Sequence, residues 1–321
     1  MKVFIAGGSG FIGSSVLRKF LKENAEVHIL IRNTSKLWRI EEIKGQINLH
    51  YGELSSQGEI EAIISSIKPD VVINCSGVVR VFGLNDQNDV IQSNFVNTVN
   101  LVNACLRGNV GVFFNTGSAY ECGFSDKPIL SKECNGNPIG LYGIVKRAER
   151  YYIEMVAQSD AMTCINFRLF TPFGFYDVPF RFIPYVILSL LRNKEPDIRN
   201  PLSGRSFIFL EDIANTYYAA AKNPEKLNGL TEVNLGSPKL ITVADMASLL
   251  YKMFDRYYAS ETETQDKVRE YLFPEEKEVM KIFSTLKVNL TTLQEGLSRT
   301  VEWFRHNEHF YGTECMLGAR K

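Results

Sequence analysis

Short apolar runs recur along the first half of the chain, separated by stretches in which apolar residues return every three or four positions. The short runs predict strands near residues 2–6, 26–31, 46–51, 70–74, 110–116 and 162–168. The intervening stretches predict helices near 11–22, 56–67, 88–107 and 141–158. Runs such as 110–115 are apolar on both faces, the pattern of parallel strands covered by helices on both sides. Strand and helix in alternation imply an α/β fold, a doubly wound parallel sheet with right-handed crossovers. The rhythm changes after Arg168. Pro172, Pro179, Pro184, Pro196 and Pro201 punctuate the next thirty positions around one amphipathic stretch. Strand and helix patterns return at 206–209, 213–222 and 232–235, and helices at 242–254 and 290–306 close the chain.

The first run ends in glycines, Gly7, Gly8, Gly10 and Gly13, and helix-compatible residues resume at Phe11 and Ile12. A buried strand that turns through glycines into a helix presents backbone N–H groups to a diphosphate. The spacing is Gly-x-x-Gly-x-x-Gly. With 321 residues, about two domains are expected. A Rossmann dinucleotide-binding domain is assigned to residues 1–170 plus about 206–236, and a smaller C-terminal α/β substrate lobe to 171–205 plus 237–321.

Composition narrows the partners. Lysine plus arginine and aspartate plus glutamate number 36 each, so the net charge is zero. No basic stretch tracks a nucleic-acid backbone or an anionic membrane. No apolar run is long enough to span a bilayer; residues 180–191 come nearest but carry Arg181 and Pro184. The first strand begins at residue 2, which leaves no room for a signal peptide, and a cytoplasmic location is expected. The six cysteines, Cys75, Cys105, Cys122, Cys134, Cys164 and Cys315, show no Cys-x-x-Cys spacing and are expected as reduced thiols. The four histidines do not cluster, so no metal site is expected.

Tyr142 and Lys146 lie four apart in a predicted helix and so share one face. A cation one turn away favours the phenolate and is expected to lower the tyrosine pKa. Taken alone, the pair reads more readily as an incidental surface pair. The run 112–118 reads as a parallel strand with a polar carboxyl end, which is where open α/β sheets bind ligands. Ser118 at that end would hold a substrate oxygen while Tyr142 exchanges a proton with it.

Gly7-x-x-Gly10-x-x-Gly13 with Phe11 and Ile12, Ser118, and Tyr142-x-x-x-Lys146 together resemble the extended short-chain dehydrogenase/reductases of the NAD-dependent epimerase/dehydratase family. Nearly the whole chain shares the likeness. Gly52-Glu53-Leu54 resembles the family's Gly-Asp-Leu at the adenine end, and residues 69–77, ending in Ser76 and Gly77, are similar to its fourth strand. Asn94 matches the asparagine of the following helix. Arg168-x-x-Thr171-Pro172-Phe173-Gly174 and the segment from Arg205 to Asp212 resemble two later family motifs, and Glu295-Gly296-Leu297 with Trp303-Phe304 its last helix. The resemblance implies hydride transfer on a nucleoside diphosphate sugar. Tyr142 would be the general acid/base, Lys146 would hold the nicotinamide ribose, and Ser118 and Tyr120 would face the sugar with Thr171. Arg205 would pair with the substrate diphosphate, as a planar guanidinium suits a phosphate. The family also implies a homodimer through the helices near 90–107 and 142–158.

Departures from the family pattern refine the expectation. The second strand normally ends in an acidic residue that binds the adenosine ribose; here Ile31 stands there, followed by Arg32 and Asn33. No carboxylate repels a 2′-phosphate and an arginine attracts it, so NADP(H) is expected, with NAD(H) as the alternative. Lys36 and Arg39 add to that positive charge. The family's 4,6-dehydratases carry an Asp-Glu pair just after the active-site Ser/Thr, whereas Ser118 is followed by Ala119 and Tyr120, with Glu121 out of register. No Cys/His pair for 3,5-epimerisation is apparent. The chain therefore reads as most like the nucleotide-sugar 4-ketoreductases of polysaccharide biosynthesis, with a 4-epimerase using bound NAD, a reductase of a small ketone, and a non-catalytic dinucleotide-binding sensor as alternatives.

Overall fold

The computed structural model describes residues 1–79, 87–131, 133–134, 136–159, 161–259 and 270–312. The first unit runs β1 (Lys2–Ala6), α1 (Phe11–Lys22), β2 (Glu26–Ile31), β3 (Asn48–Tyr51), α2 (Gln57–Ile67) and β4 (Val71–Asn74). Next come α3 (Gln87–Ile91), a π-helical turn (Gln92–Val96), α4 (Asn97–Arg107), β5 (Val112–Ser118), α5 (Gly140–Ala157) and β6 (Thr163–Leu169). The remainder comprises β7 (Thr171–Phe173), α6 (Phe182–Leu191), β8 (Gly204–Arg205), β9 (Phe207–Phe209), α7 (Leu210–Lys222), β10 (Glu232–Leu235), β11 (Ile241–Thr242), α8 (Val243–Lys252), β12 (Tyr271–Leu272), α9 (Glu276–Leu286) and α10 (Leu293–Asn307).

Seven parallel strands form the central sheet in the order β10-β6-β5-β4-β1-β2-β3. Period-two alternation sends side chains to opposite faces. Val3, Ile5, Ile29, Ile73 and Phe114 enter one core with α1, α7 and α9. Phe4, Leu30, Val72 and Phe113 enter the other with α2, α4 and α5. On α1 the buried Val16, Leu17 and Phe20 form the inward stripe, and the Phe20 ring meets Tyr218 of α7 edge-on at 5.4 Å. A third core gathers α6, α8 and α10 around Phe173, Ile187, Leu250 and Phe304.

Two departures from the pattern read in the sequence matter for the site. The expected helix over 88–107 is interrupted by the π turn, which adds a residue to one turn and faces Asn94 inward, 1 % exposed. The strand run 110–116 is not apolar throughout, because Asn115 lies fully buried in it. Small pieces assemble the far side: β8 pairs with β11 antiparallel and with β12 in parallel, and β7 pairs with β9. No helix among the described residues is long and apolar enough to cross a membrane.

Candidate active site

The strand order reverses direction at β1, flanked by β2 on one side and β4 on the other. The crevice outside the carboxyl ends of strands at such a point is where open α/β sheets bind ligands. The glycine turn leaves β1 there, and Cys75-Ser76-Gly77 leaves β4, tied back by the Cys75 N–H donating to Ala6 O at 2.9 Å. Gly7 sits at φ +76°, and a Cβ on it would lie 2.5 Å from the Cys75 carbonyl oxygen, so only glycine lets the two loops meet. Gly10 caps α1 without a side-chain acceptor, and the first turn holds no acidic residue. The N–H groups of Phe11, Ile12 and Gly13 are thus left for an anion, and the helix dipole favours one.

At the end of β2, Ile31 is buried in the core while Arg32 and Asn33 are exposed. The Arg32 N–H donates to Ser35 Oγ at 2.9 Å and the Ser35 N–H returns to Arg32 O at 2.9 Å, a closed turn that holds both residues at the crevice edge. Lys36 is exposed on the same loop. Arg39 is engaged elsewhere, its Nε on Tyr176 O at 2.9 Å and its guanidinium over Trp38, so it does not add free charge as expected. Glu53 is exposed at the end of β3, its N–H on Glu59 Oε2, and Leu54 is buried beside it.

The structure brings Ser118, Tyr142 and Lys146 together. Ser118 ends β5, and Tyr142 and Lys146 share the inward face of α5. Ser118 favours the ionised form of the Tyr142 phenol, and Lys146 Nζ lies 5.9 Å from the centre of the Tyr142 ring. Lys146 Nζ donates to Thr116 O at 3.1 Å and to Glu149 Oε2 at 2.9 Å. Gly77 faces this group; a Cβ there would lie 2.4 Å from Asn94 Oδ1 and 3.7 Å from Lys146 Nζ. Asn94 is fixed by Nδ2 donating to Val90 O and Val78 O, while its buried Oδ1 has no hydrogen-bond partner among the described residues. Anion-ready turn, glycine approach and buried acceptor fit a dinucleotide lying along this crevice.

Electrostatics correct one expectation. Burial pushes the Tyr142 phenol above its ordinary value; Lys146 pulls it back without prevailing, and Glu149 pushes it up again. Burial pulls the Lys146 ammonium down most strongly, but Glu149, Tyr142 and Glu121 together hold Lys146 above the ordinary lysine value. The cation was expected to lower the phenol and does act in that direction, but burial, with a smaller push from Glu149 one helical turn further on, outweighs it. Glu149 is three residues from Lys146, a helical neighbour spacing that already marked the same face.

On the substrate side, the Tyr120 ring meets Tyr142 edge-on at 6.3 Å. Arg205 donates to Gly204 O at 2.9 Å and Glu270 O at 2.6 Å, its guanidinium 5.0 Å over the Phe124 ring. Thr171 opens β7, its N–H on the carbonyl of Ser206 beside Arg205. Arg181, which the sequence reading passed over, precedes α6, lies 5.4 Å over the Phe11 ring and acts on the charge of Tyr142. Glu121 is fully buried and ion-paired with Arg168, which removes it from the substrate side.

A second correction concerns the thiols. Cys122 and Cys134 form a disulfide, closing the loop that follows Ser118. Both limbs are pinned by Arg147, which donates to Glu121 O, Cys134 O and Gly136 O, and these contacts bring the two cysteines together without any Cys-x-x-Cys motif. Cys105 and Cys164 are buried free thiols in the apolar core, and Cys75 is free near the crevice; Cys315 lies outside the described residues. Glu121 lies close to the two bonded sulfurs, but its carboxylate is committed to Arg168.

Comparison with known proteins agrees with this fold. A UDP-glucose 4-epimerase of Mycoplasma pneumoniae is 25% identical over 246 residues, covering 69% of this chain and 71% of that one. A CDP-abequose synthase of Salmonella typhimurium is 24% identical over 250 residues, 76% and 77% of the respective chains. The crystal structure of a dTDP-glucose 4,6-dehydratase of Streptomyces venezuelae superposes with a TM-score of 0.83 at 17% identity, covering 97% of this chain and 98% of that one. The family model of NAD-dependent epimerases and dehydratases matches residues 3–236, from the first strand through β10. The chain is an oxidoreductase-type enzyme of the extended short-chain dehydrogenase/reductases and belongs to the NAD-dependent epimerase/dehydratase family.

Proposed function

We propose that the protein reduces the 4-keto group of a nucleotide-linked deoxysugar with NADPH. The observation that carries this reading is the state of Tyr142: it is 7 % exposed, and the lysine beside it is neutralised by a buried carboxylate. Such a phenol rests protonated, as a donor to a developing alkoxide must be. An enzyme that begins by oxidising a sugar hydroxyl needs the same tyrosine as a base. The engagement of Glu121 with Arg168 supports it further, because elimination of water requires a free acid beside the sugar.

NADPH, when held by these residues, would supply a hydride to the carbonyl carbon. Tyr142 donates its phenolic proton to the carbonyl oxygen, and the Ser118 hydroxyl orients that oxygen. Lys146 holds the ribose next to the reacting end, and the free N–H groups at Phe11, Ile12 and Gly13 take the dinucleotide diphosphate. Arg205 takes the sugar nucleotide's diphosphate, with Tyr120 and Thr171 lining the sugar. Arg32 and Asn33 receive the 2′-phosphate. Incubation with nucleotide-linked 4-keto sugars is expected to oxidise NADPH in step with loss of the ketone. Interconversion of 4-epimers without added cofactor, and no NADPH oxidation, would instead establish the epimerase reading that the Mycoplasma relative favours.

Cofactor choice has its own test. Arg32→Ala is expected to raise KM for NADPH roughly 10- to 100-fold, the worth of one charge-assisted hydrogen bond, and to leave KM for NADH nearly unchanged. An equal change for the two cofactors in steady-state kinetics would exclude a 2′-phosphate at Arg32.

A further inference from the structure

Four strands of the central sheet carry a polar residue at one register on one face. Asn74 of β4 stands opposite Asn115 of β5, Asn115 opposite Asn166 of β6, and Asn166 opposite Glu232 of β10. The side chains join across the strands in one direction. Asn74 Nδ2 donates to Asn115 Oδ1 at 2.9 Å, Asn115 Nδ2 to Asn166 Oδ1 at 2.9 Å, and Asn166 Nδ2 to Glu232 Oε1 at 3.0 Å. None of the four is more than 5 % exposed. Amides in a sheet interior destabilise it unless every group is met, so such a row persists only with partners fixed at both ends. At one end Asn74 Nδ2 also donates to Thr98 Oγ1 at 2.9 Å; at the other, Glu232 pairs with Arg150 and Arg168. In the middle, Asn115 Nδ2 donates to Glu149 Oε2 at 3.0 Å, the same oxygen that receives Lys146.

We propose that Glu149, fixed by this amide ladder, is a positioning residue that holds Lys146 in an internally neutral pair and so keeps Tyr142 a proton donor. The proposal rests on the reductase reading above and gives it a structural cause. An ammonium has three donors. Two of those on Lys146 go to Thr116 O and Glu149, which sets the direction of the third. Without Glu149 the full charge of Lys146 would act on the phenol through a medium of low dielectric and favour the phenolate. With it, the two charges oppose each other at Tyr142. The other groups acting there are Ser118 and Arg181, and Lys146 also senses Glu121, itself paired with Arg168.

Titration of the full-length protein carrying 13Cζ-labelled tyrosine, with the Tyr142 resonance assigned from Tyr142→Phe, tests this directly. Glu149→Gln removes the negative charge, so the Tyr142 midpoint is expected to fall by about one pH unit or more. Glu149→Asp keeps the charge but draws it back by one methylene, and is expected to shift the midpoint in the same direction by about half as much. It also supplies the reading if the glutamine variant does not fold. A Tyr142 midpoint unmoved in whichever variant folds overturns the proposal. No sugar substrate is needed, so failure of the titration and failure of the reductase reading are separate results.

Discussion

Tyr142→Phe is expected to lower the rate of keto-sugar reduction by about 10³-fold while leaving cofactor affinity within about threefold of the parent. The substitution removes one oxygen from a side chain that is already buried, so packing around α5 changes little. What is lost is the proton that the new alkoxide must take up. Lys146, Gly77 and the glycine turn are untouched, and with them the contacts expected to hold the dinucleotide. Steady-state rates followed by NADPH absorbance, together with fluorescence titration of NADPH binding, separate the two effects. A rate within tenfold of the parent would mean that another group protonates the oxygen.

The second large effect is on stability. Arg168 is fully buried on β6, its Nε paired with Glu121, its Nη2 2.8 Å from Glu232, and its Nη1 donating to Asn234 at 2.8 Å and Ser131 O at 3.1 Å. Arg168→Met removes the cation and strands the buried Glu121 beside Glu232, which keeps Arg150. Breaking a buried pair from one side is destabilising by about 3–5 kcal/mol, because the remaining charge is uncompensated. For a chain of this size that lowers Tm by roughly 4–7 °C. Adding Glu121→Gln, which removes the stranded charge, is expected to recover part of the loss in calorimetry. A double variant less stable than Arg168→Met alone would point to lost packing as the cause.

Much of this molecule is legible in its sequence. Continuous apolar runs at 2–6, 26–31 and 70–74 became β1, β2 and β4, because parallel strands covered on both faces carry little else. The family motifs at Gly7, Ser118, Tyr142 and Lys146 fall in the elements around the reversal of strand order. The amide ladder was not legible. A single asparagine near the carboxyl end of an apolar run reads as the polar tip of a strand, and only the register of four strands separated by many residues shows Asn74, Asn115, Asn166 and Glu232 in one row. Glu149 was hidden for a related reason: its helical spacing from Lys146 was visible, but not its burial, which turns an expected surface ion pair into a buried one beside Tyr142. The pairing of β12 with β8 joins residues 271–272 to 204–205, a contact with no local signal. The Cys122–Cys134 bond likewise depends on Arg147 folding the loop back from a neighbouring helix.

The most direct measurement follows a labelled hydride. With NADPH doubly deuterated at nicotinamide C4 and a nucleotide-linked 4-keto-6-deoxy sugar, one deuterium is expected at sugar C4 for each cofactor oxidised, in a single product configuration. Product formed without net NADPH oxidation, or as a mixture of both C4 epimers without deuterium, would contradict the account.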